Sequence, residues 1–489
     1  MNSAPIRANS RLLGKAPLRL VPFLWTLALG LWGLSRQHSV WRDEAATWQV
    51  ARRSTGDIWQ MLAQVDAVHG LYYLLMHAVF ECFDPGTTAL RLPSVLGMAV
   101  AAVCVAEIGR RLAGIRAGLA AGLALGLLPA VQFHLQEGRP YALVAAGAGI
   151  STLLLVAVLQ GGRAVHWLGY AGTVAVCGLL NWLSLLILPA HLATLVWTRA
   201  RRRTWTGWAL ASAPAVAAVL PLILFSRRQS EQVSWIPPLT WHMLIGPAVL
   251  LAIGGLGALL DRPHTGRLSV AAVGLPLLAV PQLGLLGLSL VRPLFLDRYI
   301  LFSMLGLALL IGTALGTATR AAGPRHPRAS AWLVPVVVAV AFVALLPQSL
   351  AKRSPDSRVD DVLAVATDVR RLKETGDAVV FVPAARRDTA LVSPDAFAGL
   401  RDVALVRGPV ASGTLKGEEA DPARIRAAML AQRRILLVTD MPEVARAVTA
   451  ERDKVKTAVL KKHFKVVADV QVRGRRVTVY ERIERPDKR

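Results

Sequence analysis

Residues 331–349, AWLVPVVVAVAFVALLPQS, form a run of 19 residues that contains no charged side chain. A helix needs about 20 mostly apolar residues to cross a bilayer, so this run predicts a membrane-spanning helix. The composition changes directly after it. Residues 1–350 hold 27 lysines and arginines against 11 acidic residues, whereas residues 351–489 hold 29 against 20. We therefore predict a membrane domain at 1–350 and a soluble domain at 351–489.

Apolar segments of similar length precede this run along the whole membrane domain. They lie at residues 18–35, 91–109, 117–133, 141–160, 167–180, 183–198, 206–226, 242–260, 268–290 and 299–316. With residues 331–349 they predict an α-helical polytopic membrane protein of about 11 spans. A shorter apolar piece at residues 71–83 is interpreted as a re-entrant or interfacial helix that does not cross.

Basic residues in the short connections orient these spans, because such residues stay in the cytoplasm. The basic residues used are Arg11, Lys15, Arg19, Arg110, Arg111, Arg116, Arg199, Arg201, Arg202, Arg203, Arg262, Arg267, Arg320, Arg325 and Arg328. This pattern predicts a multi-pass protein of the cell membrane, with a cytoplasmic N-terminus and an extracytoplasmic C-terminal domain. It also accounts for much of the net charge of +25, so nucleic acid is not a predicted partner.

The C-terminal domain has the pattern of a small α/β fold. Short apolar runs at 378–382, 402–406 and 434–439 predict strands, and residues 422–432 and 442–462 have helical periodicity. Alternation at 465–472 and 475–481 around Arg473-Gly474 predicts a closing hairpin. The domain contains no glycine-rich phosphate loop or catalytic motif, so we expect a role in recognition or scaffolding.

The first external loop contains Trp41-Arg42-Asp43-Glu44-Ala45-Ala46-Thr47-Trp48. Adjacent carboxylates beside an arginine, directly after a membrane span, suit acid–base catalysis. The alternative is structural: Asp43 or Thr47 caps an interfacial helix that continues to about residue 64.

Further polar groups follow on the same predicted side of the membrane. They occur in His69-Gly70-Leu71-Tyr72-Tyr73, Arg91-Leu92-Pro93-Ser94, Gln136-Glu137-Gly138-Arg139-Pro140-Tyr141 and Arg292-Pro293-Leu294-Phe295-Leu296-Asp297-Arg298-Tyr299. Guanidinium groups are natural partners of phosphate oxygens, and a helix N-terminus near His69 favours an anion. Together these segments indicate a shared external site.

In this order, the segments resemble bacterial family 39 glycosyltransferases, relatives of the protein O-mannosyltransferases and the lipid A aminoarabinose transferase in the GT-C superfamily. The resemblance covers roughly residues 20–350, and the acidic pair after the first span is its most specific part. It implies a GT-C-like fold and an enzyme that transfers a hexosyl or pentosyl group from a polyprenyl-phosphate-linked sugar. The expected partners are this donor, the lipid bilayer, and a glycan, lipid or protein acceptor.

The resemblance also implies roles for individual residues. Asp43 is the expected base that deprotonates the acceptor hydroxyl, with Glu44 as an alternative base or an orienting partner. A single displacement at the anomeric carbon inverts the sugar, and cationic groups stabilise the departing lipid phosphate. The residues expected at the donor phosphate or sugar are His69, Tyr72, Tyr73, Arg91, Glu137, Arg139, Tyr141, Arg298 and Tyr299.

Two other classes of function remain as alternatives. The first is a transporter or flippase of a lipid-linked or anionic solute, and the second is a membrane scaffold that presents the C-terminal domain. Release of free polyprenyl phosphate by the purified protein separates an enzyme from both. No cofactor and no metal site are predicted, and a divalent metal ion is kept as an alternative.

Overall fold

The computed structural model of the chain describes residues 16–34, 38–229, 235–261 and 267–483. Arg11, Lys15 and Arg262, which the orientation argument used, lie outside these residues. The chain forms two compact units. The first contains Met1–Leu34 and Arg91–Lys352, and the second contains Ser35–Leu90 and Arg353–Arg489.

The first unit is helical throughout its described residues. Its α-helices are α1 (Ala16–Leu31), α5 (Thr87–Ala113, from Arg91 onward), α6 (Ile115–Leu127), α7 (Pro129–His134), α8 (Tyr141–Leu159), α9 (His166–Leu180), α10 (Ile187–Trp197), α11 (Arg202–Ser226), α12 (His242–Leu259), α13 (Val270–Val291), α14 (Met304–Ala322) and α15 (Pro327–Arg353), and the labels α2–α4 are kept for the second unit. Short 3-10 helices at Trp182–Leu186 and Asp297–Ser303 lead into α10 and α14.

The predicted membrane class is confirmed. Among the described residues, 7 helices are long and apolar enough to cross a bilayer, and shorter apolar helices lie at Leu18–Leu31, Ile115–Leu127, His166–Leu180 and Trp182–Trp197. Each of these helices overlaps a predicted segment, because a long apolar run between polar or helix-breaking residues favours a helix. The number of segments that cross, about 11, stays a prediction.

Small residues let the helices of the first unit approach closely. Gly312 and Gly316 lie one turn apart on α14 and face Ala117 and Ala121 of α6. A β-carbon built on Gly312 would lie 2.5 Å from the β-carbon of Ala121, so only glycine allows this crossing. Close packing of small residues is a main source of helix association in lipid, where the hydrophobic effect between helices is weak.

The second unit is built on a five-stranded sheet with the order β2-β1-β5-β7-β6. Its strands are β1 (Ala378–Val382), β2 (Arg401–Asp402), β5 (Arg434–Asp440), β6 (Phe464–Val472) and β7 (Arg475–Arg482), and a separate ladder joins β3 (Leu405–Arg407) to β4 (Glu418–Glu419). β1 runs parallel to β2 and β5, whereas β7 is antiparallel to both of its neighbours.

Helices cover both faces of this sheet. The α-helices of the unit are α2 (Arg42–Ala51), α3 (Thr55–Leu62), α4 (Gly70–Cys82), α16 (Val362–Leu372), α17 (Asp388–Val392), α18 (Pro394–Phe397), α19 (Pro422–Leu430) and α20 (Glu451–His463). Alternate residues of β1 point to opposite faces: Val380 packs with α19 and α20, and Phe381 packs with α16. Burial on both sides explains why β1 and β5 are continuous apolar runs.

Residues 38–90, which contain the predicted first external loop, fold with the C-terminal domain. α17 packs against α2, and Leu415 packs against the apolar cluster of α2, α3 and α4. Arg53, 6% exposed, donates a hydrogen bond from Nη2 to the carbonyl of Thr414 at 2.8 Å. Residues 35–90 therefore belong to the same compact unit as the C-terminal domain, an association that the division at residue 350 did not include.

Most elements of the predicted C-terminal domain are present. The hairpin turn has Arg473 and Gly474 at φ 41° and 77°, as a tight two-residue hairpin loop requires. The prediction for residues 442–462 was wrong in its first part, since the helix begins only at Glu451. The preceding residues are irregular and line a cleft, a tertiary constraint that periodicity does not report. The strand predicted at 402–406 is two short strands, β2 and β3.

Candidate active site

The helix that carries the acidic pair is held at its N-terminus by a residue from the C-terminal part of the chain. Trp41 occupies the N-cap position without a side-chain cap, and α2 begins at Arg42. Asp360 accepts hydrogen bonds from the backbone nitrogen of Arg42 at 3.0 Å and from its Nε at 3.1 Å. Next to this contact, the backbone nitrogen of Val362 donates to the carbonyl of Val40 at 2.7 Å. The alternative that Asp43 or Thr47 caps this helix was therefore wrong.

A buried network of charges fixes Asp360 in turn. Asp360 is fully buried, and Arg475 approaches its Oδ2 with Nε at 3.0 Å. Arg475 also binds both carboxylate oxygens of Asp388 at 2.8 Å. Burial opposes ionisation of Asp360, but the guanidinium groups of Arg475 and Arg42 outweigh it and hold its pKa below the ordinary value. The cap on α2 is therefore a carboxylate anion.

The two carboxylates of the acidic pair differ in exposure. Asp43 is partly exposed, whereas Glu44 is fully buried. Both lie in the first turn of α2, where the helix dipole favours negative charge. A base must reach the hydroxyl group that it deprotonates. The exposure therefore favours Asp43 as the base and Glu44 as the orienting partner.

His69 belongs to a second group in the same unit. Its Nδ1 lies 2.7 Å from Oδ1 of Asp66, and the hydroxyl group of Tyr73 donates to the other oxygen of Asp66. Asp66 adopts the left-handed conformation, with φ at 60° and ψ at 31°, which places its carboxylate between the two side chains. A carboxylate at Nδ1 orients the imidazole ring of His69. Tyr72 and Tyr73 are fully buried on α4, which packs against α2.

A third group lies in the first unit, in the turn between α7 and α8. The hydroxyl group of Ser94 donates to the carbonyl of Glu137 at 2.5 Å and to that of Arg139 at 3.2 Å. Oε2 of Glu137 lies 2.5 Å from Nδ1 of His134. Arg91, fully buried, precedes Ser94 by about one turn on α5. These contacts bring the predicted residues Arg91, Glu137 and Arg139 to one end of the helical unit.

Aromatic rings surround Arg298 at the same end. Its guanidinium carbon lies 5.9 Å from the ring centre of Tyr141 and 5.8 Å from those of Trp235 and Tyr299. Such contacts orient a cation without neutralising it. The hydroxyl group of Tyr141 is buried and has no hydrogen-bond partner among the described residues. A buried hydroxyl group in that state can donate a hydrogen bond to a further polar atom.

The predicted residues thus form two sets, one in each compact unit. Asp43, Glu44, His69, Tyr72 and Tyr73 lie in the second unit, and Arg91, Glu137, Arg139, Tyr141, Arg298 and Tyr299 lie in the first. In the described parts of the chain, no group of three or more His, Cys, Asp or Glu side chains has the geometry of a metal site.

Sequence reasoning missed three residues of these groups. Asp66 and His134 each lie three residues before a predicted site residue, a spacing that brings side chains together in a helical turn. That spacing is a usable signal. Asp360 has no such signal, because its partner Arg42 lies 318 residues away in sequence.

Glu107, a charged residue within the predicted span at residues 91–109, pairs with arginines of the chain. Glu107 lies near the end of α5 and accepts hydrogen bonds from Arg110 at 2.7 Å and from Arg111 at 2.9 Å. Arg19 lies 3.8 Å from the same carboxylate. A carboxylate held by nearby arginines at a helix end is not the lining of a transport path, so Glu107 does not favour the transporter alternative.

Comparison with known proteins agrees with the resemblance to glycosyltransferases that the sequence motifs indicated. Residues 70–227 match the family described as dolichyl-phosphate-mannose-protein mannosyltransferase. The matched part contains Arg91, Glu137, Arg139 and both tyrosines of α4, but not the acidic pair. No curated protein matches the sequence at a significant level.

Solved structures share the fold over nearly the whole chain. ArnT from Cupriavidus metallidurans in the apo state is 14% identical, with 97% of this chain and 98% of that chain covered and a TM-score of 0.60. ArnT of the same organism bound to undecaprenyl phosphate is 13% identical, with 94% and 97% covered and a TM-score of 0.57. Arabinofuranosyltransferase AftD from Mycobacteria is 17% identical, with 96% and 40% covered and a TM-score of 0.53. The predicted GT-C-like fold is confirmed.

Proposed function

We propose that this chain, a membrane glycosyltransferase as the family match and the fold support, transfers a sugar from a polyprenyl-phosphate carrier to an acceptor hydroxyl group. The observation that carries the proposal is the arrangement of the acidic pair. A partly exposed carboxylate, Asp43, lies in the first turn of a helix whose N-terminus is anchored by the buried, ionised Asp360. A base held in this way meets the geometric requirement for deprotonating a bound hydroxyl group.

The chemistry is a single displacement. Asp43 accepts the proton of the acceptor hydroxyl group while the acceptor oxygen forms a bond to the anomeric carbon of the sugar. The bond between that carbon and the phosphate oxygen breaks, and the lipid phosphate leaves with the electron pair. Attack from the side opposite the leaving group inverts the configuration of the sugar.

The leaving phosphate needs cationic partners, and three arginines of the first unit are the candidates. Arg91 lies about one turn before Ser94, which contacts the carbonyl of Arg139, and Arg298 lies 5.9 Å from the ring centre of Tyr141, whose hydroxyl group is buried. We assign these arginines to the phosphate, and Glu137, Tyr141 and Tyr299 to the sugar or to holding the arginines. We also propose donor phosphate or sugar contacts for His69, which Asp66 orients, and for Tyr72 and Tyr73.

The likeness to ArnT supports the choice of donor, because that protein has been solved with undecaprenyl phosphate at 13% identity to this chain. We propose the cell membrane as the location, with the N-terminus in the cytoplasm and the active site outside. Arg320 donates to the carbonyl of Ala113 at 2.9 Å, and Arg116 donates to Ser330 at 3.2 Å. The basic turns after α5 and α14 thus converge at one end of the unit, as the positive-inside rule requires of one side.

The decisive experiment is donor turnover by the purified full-length protein in liposomes. With a polyprenyl-phosphate-linked sugar and a mixture of membrane acceptors, we expect free polyprenyl phosphate and a glycosylated product. Asp43→Asn should retain donor binding and lose turnover. Movement of intact donor across the bilayer without bond cleavage would favour the transporter alternative. Dialysis against EDTA should leave turnover unchanged. Loss of turnover after dialysis and its recovery on addition of a divalent ion would instead establish a metal requirement.

A further inference from the structure

A cleft of about 680 Å³ opens in the second unit at the carboxyl ends of β1 and β5. Its walls include Ala384–Arg386 after β1, Asp440 at the end of β5, and residues 447–450 before α20. Open parallel sheets bind ligands at this edge, because the loops that follow neighbouring strands diverge there. Arg42 also lines the cleft and is followed in sequence by Asp43, so the cleft lies beside the helix of the proposed base.

The acidic side chains of the cleft are already matched by cations of the chain. Their ion pairs are Asp440 with Arg386 at 2.6 Å, Glu419 with Arg387 and Lys456 at 2.8 Å, Asp453 with Lys456 at 2.9 Å, and Glu418 with Arg407 at 2.6 Å. Lys456, which is fully buried, and Arg387 also hold the pKa of Glu419 below its ordinary value against the effect of burial. Each of these carboxylates therefore has a cationic partner within the protein.

Positive charge remains at the floor of the cleft. Arg386 is 7% exposed, with its Nε 2.6 Å from Asp440 and its Nη1 3.7 Å from Asp388, and it shares both carboxylates with Arg475. Burial and the neighbouring Arg475 lower its pKa, despite the carboxylates of Asp388 and Asp440. The guanidinium group of Arg386 is therefore only partly compensated within the protein, and an anion in the cleft would stabilise it.

Positive groups also surround the opening. Lys416 and Arg452 are exposed, and neither forms an ion pair within the described residues. The N-terminus of α20 opens into the cleft at Ala450, which provides no side-chain cap. The first backbone N–H groups of α20 therefore point to the same space as these cations.

From this arrangement we infer that the cleft binds a phosphate or carboxylate group of the acceptor and thereby places the acceptor beside Asp43. The inference rests on the proposed function, because that function requires an acceptor. It adds that this acceptor is anionic. It also gives the C-terminal domain a defined role: its cleft selects molecules with a negative group, and α2 presents the base to them.

The experiment measures binding to the full-length protein in nanodiscs, with inorganic phosphate, glucuronate and glucose as probes. We expect phosphate and glucuronate to bind, glucose not to bind, and added salt to weaken both anions. The double variant Lys416→Gln/Arg452→Gln should weaken anion binding about tenfold, equal to ~1.4 kcal/mol. The charge-matched control Arg424→Gln/Lys462→Gln removes exposed cations of the same unit outside the cleft and should bind as the wild type does.

Each contrary result overturns the inference. Equal binding of glucose and glucuronate, or unchanged anion binding by the double variant, removes the anion site. Phosphate binding that is lost in Arg298→Gln instead belongs to the donor site. Loss of phosphate binding only in phosphatidylglycerol nanodiscs, compared with phosphatidylcholine, assigns the cleft to lipid headgroups. All of these experiments measure binding and none requires turnover. The turnover assay with Asp43→Asn tests the proposed function separately.

Discussion

The carboxylate of Asp360 accepts a hydrogen bond from the backbone N–H of Arg42, a residue 318 positions earlier in the chain. This contact supplies the cap that α2 lacks from its own sequence, and it supplies it as a buried anion. The position of Asp43 is therefore set by the C-terminal part of the chain as well as by the loop in which Asp43 lies.

The first prediction concerns Asp360 itself. Asp360→Asn keeps an oxygen for the N–H of Arg42 but removes the charge that faces Arg42 and Arg475. Breaking a buried ion pair costs about 3–5 kcal/mol, and the weaker hold on the Arg42 side chain should also lower kcat per folded molecule while the KM for donor stays unchanged. Thermal unfolding and steady-state kinetics measure the two effects.

A matched control for Asp360 is available in the same unit. Asp377 is 5% exposed and pairs with Arg434 at 2.5 Å, so Asp377→Asn also breaks a buried pair. It should lower stability without lowering kcat per folded molecule. If the two variants lose kcat equally, Asp360 has no special role in positioning α2.

The second prediction concerns pH. The folded pKa of Asp360 lies below the value of about 3.9 expected in the unfolded chain. Its stabilising contribution is therefore complete above the unfolded value and is lost as the pH falls through the folded pKa. The melting temperature of the wild type should therefore fall as the pH drops below about 4, and Asp360→Asn should show a smaller fall. Parallel curves would contradict this assignment.

The third prediction separates the two carboxylates of the acidic pair. Removal of a general base costs about a hundred- to ten-thousand-fold in rate, whereas loss of a charge in the first turn of a helix costs about 0.3–1 kcal/mol of stability. Asp43→Asn should therefore lose turnover far beyond its loss of stability, and Glu44→Gln should be milder. Asp57→Asn, in the first turn of α3, is the control and should remain active. A reversed order would identify Glu44 as the base.

The fourth prediction concerns the donor phosphate. Hydrogen bonds to charged groups contribute about 1.5–3 kcal/mol, so Arg298→Gln should raise the KM for donor about tenfold or more. Arg292→Gln removes an exposed arginine of the same segment and should leave the KM unchanged. An equal effect of both changes would indicate attraction by overall charge rather than a contact from Arg298.

The fifth prediction concerns helix packing. Gly312→Val places side-chain atoms where Ala121 and the backbone of α6 already lie, so the folded protein should be destabilised strongly or not accumulate. Gly255→Val is the control, since a β-carbon on Gly255 meets no atom within 4 Å. Detergent-solubilised yield and melting temperature report the difference. Equal tolerance of both variants would show that the contact between α6 and α14 does not determine stability.

The sequence predicted the helices of the membrane unit well, because each lies in a long apolar run with polar ends. It predicted β1, β5 and the final hairpin for a similar reason: local pattern and turn chemistry agree at these positions. It did not predict that residues 442–450 are irregular, because local periodicity does not report tertiary surroundings such as the cleft that residues 446–450 line. It also did not find the contact between Arg42 and Asp360, since no local pattern links residues so far apart.

That long separation has a consequence for synthesis. A ribosome completes α2 more than three hundred residues before it reaches Asp360, and longer still before Arg475, so the nascent first loop has no partner for its helix end. An unfinished chain can insert its membrane helices but cannot lock the base in place. We therefore expect turnover only from chains that extend beyond Arg475, and none from a chain that stops before Asp360.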